Sequence, residues 1–409
     1  MQAAPERIPG HGAGTPEPSL WNRQFFFLMA ITFLVYSNIS VFFQYYEYLK
    51  TLPIDPKGFG ILIGIFSSAA LVLRPVISPF FHSGNARRYL YIGTVLVILA
   101  LFCYSLVSGF WGMLCVRLLH GLAFVILGTA LIAAMVDFIP RKRSAQFFGL
   151  MTIVTIIPNT IIPPVLPALN GLLGGFTHIL LFFAVITLGV FPLIRGLGSP
   201  HSGTERPGSS ERLTCREILQ NLMDPSVISV LFAMLCLYSG YALVFFFLDG
   251  YGKSIGIAET GLFFTMATIS EIGIRLTAGS VFDRIIKAWT AIGAMAFLAL
   301  GYALMAYVTD KSFFYSIGFM LGLGWGVAMP VFNGIIFDMS EQKYRGFNTN
   351  LGFQVFQAGF FLGPIIAGPV VLHWGLGRLF YISAALSLAA ALIVFINLHN
   401  LKRRTPDES

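Results

Sequence analysis

The chain has 409 residues, of which 56% are hydrophobic and only 11% are charged, whereas about a quarter of the residues of an ordinary soluble domain are charged. This composition excludes a soluble protein, and the net charge of +8 is not gathered into a basic, aromatic-rich run typical of nucleic-acid binding. The four cysteines show neither a disulfide framework nor metal-ligand spacing, so we expect no metal and no cofactor.

Runs of about 20 mainly apolar residues, the length that crosses a bilayer as a helix, recur along the chain. They predict membrane spans 1 to 12 at residues 23–46, 58–81, 89–109, 112–136, 147–170, 176–197, 227–248, 259–281, 288–308, 313–337, 347–371 and 375–398. We therefore predict an all-α membrane protein with 12 transmembrane helices in two six-helix bundles.

The remaining segments are polar and divide the chain into domains. Residues 1–22 form a tail without the apolar core of a cleavable signal peptide, and residues 399–409 form a second tail. The segment 198–224 reads as a flexible linker between an N-terminal bundle at 23–197 and a C-terminal bundle at 225–398.

The distribution of lysine and arginine predicts the orientation in the membrane. An even number of spans places both termini on one side, and the loops of that side hold 18 of the 26 basic residues. The opposite loops hold Lys50, Lys57, Lys253, Lys311 and Arg378. Because positively charged loops stay in the cytoplasm, we predict cytoplasmic termini in a multi-pass protein of the cytoplasmic (inner) membrane.

The two halves carry identical residues at a constant spacing of 201 positions. The matching pairs are Gly60 and Gly261, Arg74 and Arg275, Gly121 and Gly322, Asp137 and Asp338, and Pro163 and Pro364. Repeats with an even number of spans run parallel. We therefore predict pseudo-symmetric bundles with a pathway between them.

Motifs at the ends of three spans resemble those of the major facilitator superfamily. IRLTAGSVFDR (274–284) follows span 8 where the superfamily carries GxLaDrxGrr, and LRPVISPFFHSGNARR (73–88) is a degenerate copy after span 2. RLLHG (117–121) and VDFIPRKR (136–143) are similar to the motifs inside and after span 4. The chain is most similar to the 12-helix drug/proton antiporter and efflux branch, although span 5 lacks the antiporter Gly-Pro motif.

The resemblance implies a secondary active transporter that moves a small organic solute by alternating access, acts as a monomer and is not an enzyme. We expect proton-coupled efflux, with protons, the bilayer and a small molecule as partners and no nucleic acid. Three arginines and one glutamate inside the spans favour an anionic or zwitterionic solute. The alternatives are a proton-coupled uptake symporter, a uniporter of a small metabolite, or a transporter-like receptor or scaffold.

Glu271 and Arg275 lie one helical turn apart inside span 8, where their side chains can meet. Burial favours a protonated carboxyl, whereas a neighbouring arginine favours the carboxylate. We predict a proton-coupling pair in which Glu271 takes up a proton when Arg275 moves away. The alternative is a static ion pair that fixes helix packing.

Further polar and aromatic side chains inside the spans are candidates for the substrate cavity: Asn38, Arg117, His120, Tyr238, Tyr241, Trp325, Asn333, Gln354 and Gln357. Lipid-facing surfaces do not carry such groups cheaply. The alternatives are that Arg117 caps the carbonyl groups of a neighbouring helix, that His120 packs as a neutral ring, and that the amides join helices by hydrogen bonds.

Charged residues recur at the predicted cytoplasmic ends of both halves. We predict that they form a cytoplasmic gate, composed of Arg87, Arg88, Asp137, Asp283, Arg284, Asp338 and Arg345. The alternative is that they are solvated loop charges that only set the topology, since exposed ion pairs contribute about 0–1 kcal/mol.

Overall fold

The computed structural model describes residues 22–77, 80–81, 83–136, 144–198, 215–282, 286–341 and 343–397. Regular structure in these residues is helical, and the long helices are named α1 to α12 in chain order. Their bounds are α1 Arg23–Leu49, α2 Phe59–Ile77, α3 Ser83–Cys103, α4 Phe110–Val136, α5 Ser144–Leu173, α6 Phe176–Gly196, α7 Pro225–Ser254, α8 Gly261–Phe282, α9 Lys287–Met305, α10 Lys311–Met339, α11 Arg345–Trp374 and α12 Arg378–Ile396.

Within the described residues, eleven helices combine the length and the apolar composition of a membrane span. The twelfth, α8, is 22 residues long and contains Glu271 and Arg275. It packs between α10 of its own half and α5 of the other half, so its charged pair is enclosed by protein. The chain is thus an all-α membrane protein, and the prediction of twelve spans is confirmed.

Polar caps explain where several helices begin. The side chain of Asn22 accepts a hydrogen bond from the backbone N–H of Phe25 at 2.9 Å, at the start of α1. Asp224 does the same for Ser226 at the start of α7, where Pro225 occupies the first helical position. These residues satisfy backbone donors that a helix cannot satisfy internally.

The predicted repeat recurs in the packing within each half. Gly121 of α4 lies against the carbonyl oxygen of Phe66 in α2, and Gly322 of α10 lies against that of Ala267 in α8. The two residues contacted, Phe66 and Ala267, are themselves 201 positions apart. A Cβ at either glycine would overlap the neighbouring backbone, so the two equivalent helix crossings both require glycine.

The two bundles meet on the distal face, which we define as the membrane side opposite to the termini. Its loops are residues 50–58, 104–109, 174–175, 255–260, 306–310 and 375–377. Near this face, Gly60 of α2 lies against the backbone of Pro364 in α11, and Gly261 of α8 lies against the backbone of Pro163 in α5. The 201-residue spacing also relates these two contacts, so the halves contact each other symmetrically.

Aromatic side chains fill the distal contact between the first half and the second. The ring centroids of Tyr46 and Phe247 are 5.0 Å apart, and those of Phe43 and Phe264 are 5.3 Å apart. Between α8 and α5, the hydroxyl of Thr265 donates a hydrogen bond of 2.8 Å to the carbonyl oxygen of Thr160. The distal face is therefore closed by direct packing between the halves.

The segment predicted as a flexible linker includes a short helix, Cys215–Leu222. The side chain of its Asn221 exchanges hydrogen bonds of 2.6 and 3.2 Å with Asn348 of α11. Glu217 also forms an ion pair with Lys343. These contacts bind the end of the segment to the second half, whereas residues 199–214 lie outside the described residues.

We expect Gly261→Ala to open the distal face, because the added Cβ would overlap the backbone of Pro163 and Pro164. Spin labels on Thr51→Cys and Ser254→Cys, in a chain whose native cysteines are replaced by serine, should report longer distances between the halves. Gly273→Ala in the same helix is the control, since a Cβ there meets nothing within 4 Å. An unchanged distance distribution for Gly261→Ala would contradict this account of the closure.

Candidate functional site

A chain of polar side chains crosses from the first bundle to the second near the middle of the spans. The hydroxyl of Ser40 in α1 donates a hydrogen bond of 2.6 Å to Oδ1 of Asn159 in α5. The hydroxyl of Tyr241 in α7 lies beside Asn159 and close to Glu271. Groups from both halves therefore meet around one acidic residue.

Glu271 and Arg275 form the ion pair that their spacing predicts. Nη2 of Arg275 lies 2.6 Å from Oε1 of Glu271, and the side chains of Arg275 and Glu271 are only 16% and 6% exposed. Glu271 is ten residues into α8, or roughly 15 Å by helical rise, which is the middle of a bilayer core about 30 Å thick. A buried charge in contact with its partner avoids the cost of an isolated one.

The predicted cavity residues of α7 and α10 surround this pair. Tyr238 lies beside Arg275 and Asn333, and the Asn333 amide donates a hydrogen bond of 3.0 Å to the carbonyl oxygen of Met329. The indole of Trp325 donates to the hydroxyl of Tyr302 at 2.9 Å. Its ring centroid is 4.6 Å from that of Tyr241. Trp325 thus packs against Tyr241, and both tyrosines of α7 lie near the ion pair.

Two predicted amides belong to α11. Gln357 is buried, and Oε1 of Gln354 is enclosed without a hydrogen-bond partner among the described residues. An enclosed, unsatisfied carbonyl oxygen is unfavourable, so it is a candidate acceptor for a hydrogen bond from a solute. Gln354 thus has a free acceptor among the described residues, and its place in the substrate cavity stays a prediction.

Asn38 lies apart from this cluster. Its amide donates hydrogen bonds of 3.0 Å to the carbonyl oxygen of Leu34 and to the hydroxyl of Thr187 in α6, and the residue is buried. These contacts join two helices of the first bundle. They match the alternative that spans are joined by interhelical hydrogen bonds.

Arg117 also directs its donors to a neighbouring helix. Its Nε donates at 3.0 Å to the carbonyl oxygen of Leu62, and its Nη2 donates at 2.7 Å to that of Ile63 in α2. The guanidinium lies 4.6 Å from the ring centroid of Tyr45, within the range of cation–π attraction. These contacts match the alternative that Arg117 caps the carbonyl groups of a neighbouring helix. Its role in substrate binding stays a prediction.

His120 is enclosed by aromatic rings beside Arg117. Its Nδ1 is 3.4 Å from the hydroxyl of Tyr104, and its ring packs against Phe42 and Phe66. The residue is only 1% exposed. This environment matches the alternative of a packed ring, and contact with a solute stays a prediction.

Comparison with known proteins decides the family. The sequence profile of the Major Facilitator Superfamily matches residues 25–364. The chain belongs to the major facilitator superfamily. It is therefore a membrane transporter for small molecules and not an enzyme, as predicted.

Curated relatives include transporters at low identity. The uncharacterized MFS-type transporter YuxJ of Bacillus subtilis is 20% identical over 387 residues, which cover 91% of this chain and 95% of YuxJ. The quinolone resistance protein NorA of Staphylococcus aureus is 25% identical over 198 residues, which cover 45% of this chain and 47% of NorA. The NorA match thus spans about half of each protein.

Solved structures share the fold. A bacterial homolog of the human lysosomal transporter Spinster, inward-facing and unoccupied, aligns with a TM-score of 0.79 at 12% identity and covers 96% of this chain and 100% of that chain. A single-residue mutant of the nucleoside transporter NupG aligns with a TM-score of 0.75 at 16% identity, covering 92% of this chain and 99% of that chain. Both confirm the twelve-helix superfamily fold of this chain.

The predicted gate of this superfamily member is only partly described. Arg87 donates hydrogen bonds to the carbonyl oxygens of Leu197 and Gly198 at the end of α6, and Arg88 is exposed. Asp338 forms an ion pair of 2.5 Å with Lys287 at the start of α9. Asp137, Asp283, Arg284 and the side chain of Arg345 lie outside the described residues.

Two contributors to the central cluster were not among the predicted cavity residues. Asn159 had a signal, because it extends a polar stripe on the same face of span 5 as Thr155. Ser40 had none, since serines within apolar spans are also common at plain helix contacts. Neither the partner of Asn159 nor its contact with Tyr241 across the bundles can be derived from spacing within one helix.

Arg117→Gln should lower the stability of the purified transporter, because the carbonyl oxygens of Leu62 and Ile63 lose charged donors. The expected loss is roughly 1–3 kcal/mol, seen as a lower midpoint of thermal unfolding. Arg378→Gln, at an exposed arginine of the distal face, is the matched control. A variant that unfolds like the parent but binds its solute less tightly would restore the substrate role of Arg117.

Proposed function

We propose that this superfamily member is a proton-coupled exporter of a small organic solute, located in the cytoplasmic membrane with both termini in the cytoplasm. The observation that carries the proposal is the buried Glu271–Arg275 pair of α8, the helix that packs against α5 of the other half. Near this pair, Tyr241 lies beside Asn159. Asn159 belongs to the first bundle, whereas Tyr241, Glu271 and Arg275 belong to the second.

This position of Glu271 links its protonation to the movement of the bundles. When the halves rock, the distance between α5 and α7 changes, and the contact of Asn159 with Tyr241 changes with it. Tyr241 also packs against Trp325 of its own bundle, so its ring moves with the second bundle and away from Asn159. The surroundings of Glu271 then differ between the two states, and a group whose surroundings differ takes up or releases a proton.

The closed distal face supports an inward-facing state under the proposed orientation. If the termini are cytoplasmic, packing of Gly60 against Pro364 and of Gly261 against Pro163 closes the outer side. An exporter accepts its solute from the cytoplasm in this state. Export is further supported by the similarity of half of the chain to NorA, a quinolone resistance protein.

Glu271→Gln should abolish accumulation driven by a proton gradient while leaving downhill exchange intact. The amide corresponds to a permanently protonated carboxyl, so the protein can change conformation without carrying a proton. The assay uses proteoliposomes with an imposed proton gradient and a mixture of metabolites and a quinolone, with uptake measured by mass spectrometry. Glu259→Gln is the control, since Glu259 pairs with Lys311 on the exposed distal face.

Three results of this assay would contradict the proposal. Accumulation by Glu271→Gln that still depends on pH would place the proton site elsewhere. Parent protein that equilibrates solutes without ever concentrating them would indicate a uniporter. Accumulation in the same direction as proton entry would indicate uptake by symport rather than export.

The proposed orientation predicts which loops are accessible from outside the cell. A cysteine introduced by Ser254→Cys on the distal face should react with a membrane-impermeant thiol reagent in intact cells. A cysteine added at the C-terminus should react only after the cells are permeabilised. Labelling of the C-terminal cysteine in intact cells would reverse the orientation.

A further inference from the structure

Arg74 of α2 is a membrane arginine for which the described residues supply no hydrogen-bond acceptor to Nε and no ion pair. Its Nε is enclosed and has no hydrogen-bond partner among the described residues, and the structure shows no ion pair for its guanidinium within that part of the chain. The residue lies three positions before the end of α2 at Ile77, on the side of the termini. An enclosed N–H donor without a partner is unfavourable, so the Nε of Arg74 is a candidate donor for a hydrogen bond to a solute.

Arg275 is the counterpart of Arg74, and the two guanidinium groups have the same placement. Nη2 of Arg275 is 3.9 Å from the sulfur of Met329. An ideal Cβ built on Gly128 would be 3.6 Å from Nη2 of Arg74, and Gly128 is 201 positions before Met329. Both arginines therefore point at the same level of equivalent helices, α10 in the second half and α4 in the first.

A tyrosine accompanies each arginine. Tyr36 of α1 lies close to Arg74, and Tyr238 of α7 lies close to Arg275. The two tyrosines occupy corresponding turns of equivalent helices, 202 positions apart. The arginine-tyrosine arrangement is thus a structural repeat. The sequence pairs at a spacing of 201 included the arginines but not the tyrosines.

Two differences separate the sites. The position of Glu271 is taken in the first half by Ala70, which is buried and carries no charge. The position of Met329 is taken by Gly128, which has no side chain. The first half thus lacks both the carboxylate that neutralises the arginine and the side chain that covers it.

We propose that Arg74, Tyr36 and the space at Gly128 bind an oxyanion, a carboxylate or a phosphate, of the transported solute. The oxyanion replaces in the first half the carboxylate that Glu271 supplies in the second. A guanidinium fork binds such a group through two parallel hydrogen bonds, and the Tyr36 hydroxyl supplies another donor. The proposal rests on the transport function proposed above, because the anion is part of the solute.

The test measures the charge preference of a thiol placed at the site. Gly128→Cys introduces a thiol beside Arg74, and a Cβ fits there at ordinary contact distance. The rate at which this thiol reacts with an anionic, sulfonate-bearing methanethiosulfonate is compared with its rate with a cationic, trimethylammonium-bearing one. The labelling of the parent protein, which has four native cysteines, is subtracted as background. Met329→Cys is the matched control, because it places the thiol beside an arginine that already has its carboxylate.

The ratio of anionic to cationic reaction rate should be about tenfold higher at Gly128→Cys than at Met329→Cys, as expected for one uncompensated charge nearby. Adding Arg74→Gln should bring the ratio down to that of the control. Equal ratios at the two positions, or a high ratio that survives Arg74→Gln, would overturn the proposal. If Gly128→Cys does not fold, Ile132→Cys and Asn333→Cys, one turn along the same helices, form the equivalent pair.

Protection experiments identify the anion. Benzoate should slow the anionic reagent at Gly128→Cys more than benzamide does if the site takes a carboxylate, and phenyl phosphate should do so if it takes a phosphate. Equal effects of all three compounds would contradict an oxyanion site. Labelling does not require transport, so the two proposals can fail separately. If the proteoliposomes transport solute but labelling shows no charge preference, only the oxyanion site is contradicted. If labelling is charge-selective but no solute is transported, only the transport function is contradicted.

Discussion

Close backbone contact between the halves is the constraint on which the rest of the structure depends. Lipid offers no hydrophobic force that drives helices together, so association relies on packing, and packing is closest where side chains are absent. Gly60 and Gly261 provide this at symmetry-related crossings, where α2 meets α11 and α8 meets α5. Glu271 is buried in α8, the helix that meets the other bundle at such a crossing.

The two bundles share their glycine framework but only some of their polar residues. Arg117 donates to the carbonyl oxygen of Leu62, whereas its counterpart Gly318 packs directly against the carbonyl oxygen of Phe263, the counterpart of Leu62. Glycine at that position lets α10 approach α8, while arginine in α4 fills the equivalent space with a charged group. The repeat therefore preserves the path of the helices and leaves each half free to carry different chemistry.

Length, hydropathy and the spacing of 201 residues were enough to predict the spans and the symmetry, because the bilayer dictates both helix length and internal hydrogen bonding. The i, i+4 spacing also predicted the contact of Glu271 with Arg275, which lies within one helix. Partners on different helices could not be predicted in this way. Asn38 meets Thr187 rather than the central cluster, and the helix Cys215–Leu222 is too short to stand out in a polar segment.

Under the proposed function, the unequal polar content of the halves divides the work of coupling. The titratable carboxylate lies in the second bundle, and Arg74 lies in the first, so the solute anion and the proton need not share one binding group. Tyr241 lies close to Glu271 and beside Asn159 of the other bundle. A movement of the bundles that separates Tyr241 from Asn159 alters the surroundings of Glu271. Coupling then follows from the different polar residues of the two halves and does not require direct contact between the solute and the proton-binding residue.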